Sequence, residues 1–165
     1  MTAAPTFRIR DAAPADAGDI AQFNLNLAAE TEGKQLDPAV VRRGVARVLG
    51  DAALGRYFVA ESAAGEVVAC AMVTYEWSDW RDANLWWFQS VYVRRDWRRR
   101  GVFRAIYAHV RQAAVEAGVY GLRLYVEQAN VNAQRTYAAL GMRDAHYRVM
   151  EAMSLADPAA SAAGD

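Results

Sequence analysis

The sequence has little cysteine, little histidine and no excess of either charge. It contains one cysteine and two histidines, and 19 basic side chains balance 19 acidic ones. Cys70 stands in the apolar run 67–73 and has no partner for an internal disulfide, so we interpret it as a core residue in a reducing compartment. His109 and His146 show no metal-ligand spacing, and we predict no metal site. The balanced charge favours neither nucleic acid nor a membrane surface as a partner.

Long apolar runs and a leader of the charged-then-apolar type are also missing. The sequence therefore predicts no membrane span and no secretion signal, and we expect a cytoplasmic protein. Its 165 residues are 54% apolar, enough to bury one core without metal or disulfide support. We expect a single domain over residues 1–153. Residues 154–165 lack periodicity and are expected to form a disordered tail.

Hydrophobic periodicity predicts strands alternating with helices. Asp37 followed by Pro38 predicts a helix start, and Asn130 or Asn132 can cap a later helix. Alternating or β-branched residues indicate the strands, whereas three- and four-residue spacing indicates the helices. The predicted strands cover residues 6–10, 57–60, 67–75, 85–93, 122–126 and 142–150, and the predicted helices cover residues 16–29, 38–50, 102–117 and the segment that ends at Gly141.

A basic turn stands between a predicted strand and the predicted helix 102–117. Six of the eleven residues 94–104 are arginine. Helix N-termini carry N–H groups without an intrahelical acceptor, and Gly101 lets an oxygen approach the backbone closely, so the turn suits a pyrophosphate. The competing interpretation is a solvated surface turn in which Gly101 merely allows the bend. The arginines are Arg94, Arg95, Arg98, Arg99, Arg100 and Arg104.

Two motifs resemble those of the GCN5-related N-acetyltransferase (GNAT) family. The first family motif is Gln or Arg, two variable residues, Gly, one variable residue, then Gly or Ala. The segment 98–102 matches its first five positions, whereas Phe103 replaces the small sixth residue. The second motif is matched by Asn130, Ala133, Tyr137, Gly141 and Met142. Because the motifs stand in the family's order, the resemblance extends over residues 6–151.

The resemblance implies an α/β (α+β) GNAT fold. The expected sheet is central, mixed and mostly antiparallel, has six to seven strands and about four flanking helices, and contains a splayed strand pair in the middle. Acetyl-coenzyme A would bind where the pair separates. The residues expected to bind it are Val91, Tyr92, Val93, Arg98, Arg99, Arg100, Gly101, Val102, Phe103, Arg104, Asn130, Ala133 and Tyr137.

The family's activity implies an N-acetyltransferase that moves an acetyl group from acetyl-coenzyme A to a primary amine by direct attack in a ternary complex. A backbone N–H of Tyr92 or Val93 would stabilise the oxygen that gains charge. Tyr137 occupies the family position whose phenol protonates the leaving thiolate. In isolation a packing role explains Tyr137 better, but Asn130 and Ala133 in register favour the catalytic role. Glu30, Glu32 and Glu76 are candidate bases, of which we select Glu32 and Glu76; each is also explained as a surface charge.

Aromatic and acidic side chains surround the turn at residues 79–84. Aromatic faces and carboxylates both attract ammonium groups, so we expect a small cationic amine as acceptor. Trp86 and Trp87 can instead pack the sheet onto the first two helices or form a homodimer contact. A protein or peptide N-acetyltransferase, or a noncatalytic polyanion-binding module, are the alternative functions. The group comprises Tyr75, Glu76, Trp77, Asp79, Trp80, Asp82, Trp86 and Trp87.

Overall fold

The computed structural model describes residues 6–153 and residue 155. They form two compact units, one that ends at Tyr125 and one that begins at Val126. No helix among these residues is long and apolar enough to cross a membrane. The assignment of residues 1–153 to a single domain stays a prediction.

The first unit is a five-stranded sheet with helices on both faces. The strands follow one another in the order β1-β2-β3-β4-β5. All neighbours are antiparallel except β4 and β5, which run parallel. This mixed, mostly antiparallel sheet confirms the α/β class. The strands are β1 (Phe7–Asp11), β2 (Arg56–Ser62), β3 (Val67–Ser78), β4 (Ala83–Val93) and β5 (Gly121–Leu124), and the helices are α1 (Ala17–Glu32), α2 (Pro38–Gly50) and α3 (Val102–Glu116).

Local sequence signals explain where the helices begin and which side they bury. The Asp37 side chain accepts a hydrogen bond from Ala39 N at 2.8 Å, which caps α2 as predicted. In α3 the buried positions recur every four residues, so they form one apolar stripe. Burying a valine or isoleucine contributes roughly 1.5–3 kcal/mol, which fixes this stripe against the sheet. The stripe consists of Val102, Ile106, Val110 and Ala114.

Two hydrophobic clusters lie on opposite faces of the sheet. One joins the α3 stripe to strand residues such as Phe58 and Phe88. The other joins α1 and α2 to Val59 and Cys70, which point the opposite way from their chain neighbours. Cys70 is fully buried, and burial raises the pKa of its thiol to about 12. The thiol therefore stays protonated at neutral pH, in agreement with a core role.

Strand β4 is irregular near its end. Cys70 faces Tyr92 and Met72 faces Gln89, so β4 contains one residue more than β3 over this stretch. Ser90 adopts a φ of 49°, which marks the bulge. Strand β5 pairs with β4 only as far as Phe88, opposite Leu124. The last five residues of β4 therefore lack a β5 partner, as expected of the splayed strand pair. Among the described residues, however, this pair lies at one edge of the sheet and not in its middle, because β5 is the last strand in the order.

The second unit contains α4 (Val131–Ala139). The Asn130 side chain accepts from Ala133 N at 3.1 Å, so Asn130 rather than Asn132 is the cap. Residues 142–150 form no strand, which makes the predicted sixth strand wrong and leaves five strands among the residues that the structure describes. His146 N donates to Asp144 Oδ1 at 2.8 Å, and this local turn replaces extended backbone. The tail predicted at 154–165 lies outside the described residues, apart from Leu155.

Candidate functional site

The arginine-rich turn connects the irregular end of β4 to α3. A short 3₁₀ turn, Arg95–Trp97, comes first. Arg99 and Gly101 then adopt positive φ values of 61° and 79°, and α3 starts at Val102 without a side-chain cap. The first N–H groups of a helix have no acceptor within the helix, so this turn presents donors at the positive end of the helix dipole.

The six guanidinium groups of this turn divide into two sets. Arg94 pairs with Asp96 at 2.6 Å, and Arg95 and Arg98 pair with Glu30 at 3.1 and 2.7 Å. Among residues 6–153, no carboxylate pairs with the other three. The second set therefore keeps its positive charge for an external anion. It comprises Arg99, Arg100, which lies 5.2 Å from the centre of the Trp97 ring, and Arg104.

The backbone at the end of β4 has one side open. Arg94 N donates to Val68 O at 2.9 Å, so the backbone groups of Arg94 point toward β3. Backbone direction alternates along a strand, so the groups of Tyr92, two residues earlier, also point toward β3. Those of Val93 therefore point away from β3, on the side where β5 has ended. Arg98 Nε donates to Val93 O at 2.9 Å on that side. Of the two N–H groups named from the sequence, Val93 has the outward one.

Phe103, which departs from the family motif, belongs to an aromatic group on the sheet. Its ring centre lies 6.2 Å from that of Phe88 and 6.4 Å from that of Tyr107. Phe88 and Tyr107 also stack on each other, with centres 5.8 Å apart. The bulky side chain is thus accommodated by packing along α3 and over β4.

The second motif forms the first turns of α4 in the second unit. Asn130 caps the helix, and Ala133 and Tyr137 follow at one-turn intervals along one side. Burial raises the pKa of the Tyr137 phenol above its ordinary value of 10.0. The phenol therefore carries its proton at neutral pH, the state that a proton donor requires.

The three candidate bases have different surroundings. Glu32 is 56% exposed and pairs with Lys34 at 3.1 Å. Glu76 accepts from the Trp87 indole and, at 3.0 and 3.1 Å, from Arg123 Nη1. Glu30 is held by Arg95 and Arg98, as described above. A carboxylate already engaged by a guanidinium must lose those contacts to accept a proton, and Glu32 is the most accessible of the three.

The aromatic residues of the proposed acceptor region separate into core and surface. Trp86 is buried in the core, but beneath α3 and not against the first two helices that the competing interpretation named. Trp77 and Trp80, at and beyond the end of β3, are 60% and 87% exposed. Trp87 is half-buried, with its ring 4.5 Å from that of Tyr125. Trp77 and Trp80, together with Tyr75, which is 36% exposed, are therefore available to attract a cation from solution.

Sequence reasoning missed Arg123, and it missed the contact made by the Tyr92 hydroxyl, although Tyr92 itself was named. Arg123 on β5 reaches Glu76 on β3, and Tyr92 reaches Glu30 on α1 at 3.0 Å. No local pattern signals such pairs, since the partners are 47 and 62 residues apart. Within the described part of the chain, no group of three or more His, Cys, Asp or Glu side chains could hold a metal ion. The absence of a metal stays a prediction.

Comparison with known proteins defines the class. Residues 24–142 match the family described as acetyltransferase (GNAT) family. The chain is also 31% identical over 145 residues to thialysine N-epsilon-acetyltransferase of Bos taurus, covering 82% of this chain and 84% of the relative. This chain therefore belongs to the GNAT family. It is an acyltransferase of the N-acetyltransferase class, a family whose cosubstrate is acetyl-coenzyme A.

Solved structures agree with this assignment. A possible acetyltransferase from Clostridium difficile 630 is 43% identical, with a TM-score of 0.84 over 90% of this chain and 98% of that chain. A ribosomal-protein-alanine N-acetyltransferase from Brucella melitensis biovar Abortus 2308 is 15% identical, with a TM-score of 0.74 over 90% and 100% of the two chains. The second likeness shows the fold alone.

Proposed function

We propose that this protein transfers an acetyl group from acetyl-coenzyme A to the primary amine of a small cationic metabolite. The relative from Bos taurus is named for acetylating thialysine, a small amine, and its similarity extends over 82% of this chain. One observation carries the proposal. The arginine-rich turn, which suits an anion, directly follows the end of β4, where the backbone has no β5 partner. The residue roles below extend that proposal.

The arginine turn suits the diphosphate of acetyl-coenzyme A. Apart from Gly101 and its two chain neighbours, no described residue places an atom within 4 Å of the position that a Cβ of Gly101 would occupy, so a phosphate oxygen has room to reach the backbone. Arg99, Arg100 and Arg104 carry the uncompensated charge, and the start of α3 adds its dipole. Val91 offers outward-facing backbone groups for the pantetheine arm, in the manner of an added strand, whereas the carbonyl of Val93 already accepts from Arg98 Nε at 2.9 Å. Acetyl-coenzyme A supplies the acetyl group as a reactive thioester.

The backbone N–H of Val93 is our candidate for stabilising negative charge on the carbonyl oxygen. An amide fixed in a folded strand needs no reorientation when charge develops, and removing one such donor costs roughly 2.7–4 kcal/mol of transition-state stabilisation in other enzymes. Tyr92 N is the weaker candidate because the strand register turns it toward β3. We therefore assign this role to the backbone N–H of Val93, whose direction depends on the bulge in β4.

Proton transfer requires a donor for the thiolate and an acceptor for the amine. Tyr137, whose phenol stays protonated, is the proposed donor. Glu32 and Glu76 remain the proposed bases, and the accessibility of Glu32 favours it over Glu76, which Arg123 and Trp87 hold. Asn130 and Ala133 would support Tyr137 by fixing the start of α4.

The hairpin between β3 and β4 supports a cationic acceptor. Trp77 and Trp80 are exposed there, and Asp79 and Asp82 are exposed beside them. An ammonium group over an exposed indole gains roughly 0.5–1 kcal/mol, and nearby carboxylates add Coulomb attraction. This combination favours an amine that is positively charged before it reacts.

The test is an acetyl-transfer assay with a panel of amines. The panel contains thialysine, lysine, a simple diamine without a carboxylate, and peptides with a free amino terminus. We expect kcat/KM for at least one small amine to exceed that for every peptide by about tenfold or more, equivalent to about 1.4 kcal/mol of transition-state binding. Calorimetry should show one coenzyme A bound per chain.

The outcomes separate the alternatives. Turnover of peptides alone would assign the protein-modifying function instead. Coenzyme A binding without turnover of any amine would overturn the small-amine proposal. Binding of RNA that weakens steeply with salt, in the absence of coenzyme A binding, would support the polyanion-binding module, because counterion release depends strongly on ionic strength.

A further inference from the structure

We propose that Glu30 is a positioning residue for acetyl transfer. Its carboxylate clamps the Tyr92 hydroxyl and the Arg98 guanidinium together at the end of β4. The proposal rests on the function inferred above and assigns Arg98 a different task from that of the neighbouring arginines. Glu30 lies in the last turn of α1. Tyr92 belongs to the end of β4, and Arg98 lies in the turn that joins β4 to α3.

The Glu30 carboxylate receives three hydrogen bonds. Its Oε1 accepts from the Tyr92 hydroxyl at 3.0 Å and from Arg95 Nε at 3.1 Å, and its Oε2 accepts from Arg98 Nη2 at 2.7 Å. The Glu30 side chain is 21% exposed, and Tyr92 is 6% exposed. Hydrogen bonds to an ionised group are stronger than neutral ones, and three of them meet on this carboxylate. The Tyr92 bond is part-buried, whereas the Arg95 and Arg98 side chains are 74% and 41% exposed, so water weakens their two bonds.

The charge state of Glu30 agrees with this arrangement. Burial alone would raise the pKa of its carboxyl, but the hydrogen bonds from Arg98 and Tyr92, together with the charges of Arg98 and Arg95, outweigh burial and lower it. Glu30 is therefore ionised at neutral pH. A carboxylate with a lowered pKa between two guanidinium groups is a poor base, which removes Glu30 from the candidate bases.

Arg98 links the carboxylate to the backbone that faces the proposed reaction. While Nη2 binds Glu30, Nε of the same guanidinium donates to Val93 O at 2.9 Å. The guanidinium also lies 5.4 Å from the centre of the Tyr92 ring. The carbonyl and N–H of a strand residue point to the same side, so fixing the carbonyl of Val93 also fixes the direction of its N–H. Glu30 thus acts on Val93 through Arg98.

This arrangement divides the work within the family motif. Arg98, its first residue, is turned inward by Glu30 and Val93, so it orients the strand rather than binding phosphate. Arg99 and Arg100 follow immediately and have no carboxylate partner in the described part of the chain. They bind the diphosphate. Arg98 should therefore affect kcat, whereas Arg99 and Arg100 should affect the Kd of coenzyme A.

The test compares Glu30→Gln, Arg98→Gln and the double variant with Arg99→Gln as the matched control. Each Arg→Gln change removes one charge from the same turn. We expect Glu30→Gln and Arg98→Gln each to lower kcat by about tenfold, with the Kd of coenzyme A changed by about twofold or less. The kcat of the double variant should be no lower than that of the slower single variant, because both substitutions break the same connection from Glu30 through Arg98 to Val93. Arg99→Gln should raise the Kd by about fivefold or more.

Further measurements exclude a general loss of structure. Melting temperatures and calorimetric stoichiometry establish that each variant is folded and binds coenzyme A. If Glu30→Gln does not fold, Tyr92→Phe removes a single hydroxyl from the clamp and should still lower kcat rather than raise the Kd. Glu30→Asp keeps the charge and should restore part of the lost kcat.

Two results would overturn the clamp. One is a rise in the Kd of coenzyme A for Arg98→Gln as large as that for Arg99→Gln, which would make Arg98 a phosphate ligand. The other is a double variant whose loss of kcat equals the product of the two single losses. The binding measurements need no acceptor, so they decide the role of Arg98 even if every amine is refused. A failure of the proposed function is thus distinguishable from a failure of the clamp.

Discussion

Among single residues, Tyr137 offers the sharpest test of the proposed chemistry. Tyr137→Phe removes the phenolic proton but keeps the ring, so we expect the affinity for acetyl-coenzyme A to stay nearly constant. General acid catalysis typically contributes about 10²–10⁴-fold, and kcat should fall by about 10²-fold or more. Steady-state kinetics at saturating acetyl-coenzyme A, with binding measured separately by calorimetry, check this prediction.

The role of Tyr137 as proton donor also predicts on which side of the pH profile kcat should decline. The protonated phenol is the active form, and burial raises the pKa of Tyr137 above its ordinary value of 10.0. If Tyr137 limits the alkaline side, kcat should decline only above about pH 10. Tyr147→Phe is the matched control, because Tyr147 is 79% exposed in the same unit and should leave kcat within about twofold. Equal kcat values for the two variants would exclude Tyr137 as the donor.

Among the structural elements, two glycines allow the same substitution to be compared in opposite conformations. Adjacent residues and, for Gly44, the backbone of its own helix aside, no described residue places an atom within 4 Å of the position that a Cβ would take at Gly44 or Gly101. Gly44 lies inside α2, whereas Gly101 precedes α3 with a φ of 79°. Gly44→Ala should raise the free energy of unfolding by about 0.5–1 kcal/mol, since it reduces the freedom of the unfolded chain.

Gly101→Ala should have the opposite effect. A Cβ in the left-handed region costs roughly 1–2 kcal/mol, so the free energy of unfolding should fall by about that amount. Coenzyme A should also bind more weakly, because the methyl group occupies the space beside the turn. Urea denaturation of both variants checks the signs. A stabilised Gly101→Ala variant would show that the positive φ is not required.

Elements with local signals were predictable, and those that depend on a distant partner were not. Asp37 and Asn130 cap their helices through bonds to residues two and three positions away, so the sequence alone indicated both helix starts. The segment 142–150 is predicted to return as a last strand, but a strand also needs a neighbour to pair with, and the turn at Asp144 interrupts the segment. Glu30 and Arg98 are 68 residues apart, so only the folded chain brings them together.

At the scale of the whole molecule, the net charge is zero, but individual ion pairs link the free energy of unfolding to pH. Arg10 donates to both carboxylate oxygens of Asp16, at 2.7 and 3.0 Å, and to Glu61 at 2.6 Å. The Asp16 side chain is 8% exposed. The Arg10 hydrogen bonds lower the pKa of the Asp16 carboxyl, against the opposing effect of burial. The linkage joins β1, β2 and the start of α1.

Acid should therefore weaken the fold through Asp16. Because its pKa is lower in the folded state than in the unfolded chain, its contribution is complete above about pH 4 and is lost as the pH falls through the folded value. Asp16→Asn should lower the free energy of unfolding at pH 7 by about 1–3 kcal/mol. That difference from the unsubstituted protein should shrink below about pH 4.

Urea denaturation between pH 7 and pH 3 measures this difference. Asp79→Asn is the control, since Asp79 is exposed and makes no ion pair with any residue that the structure describes. It should change the free energy of unfolding by about 0.5 kcal/mol or less at either pH. A loss for Asp16→Asn that is as large at pH 3 as at pH 7 would mean that Asp16 contributes through its shape and neutral hydrogen bonds, and not through its charge.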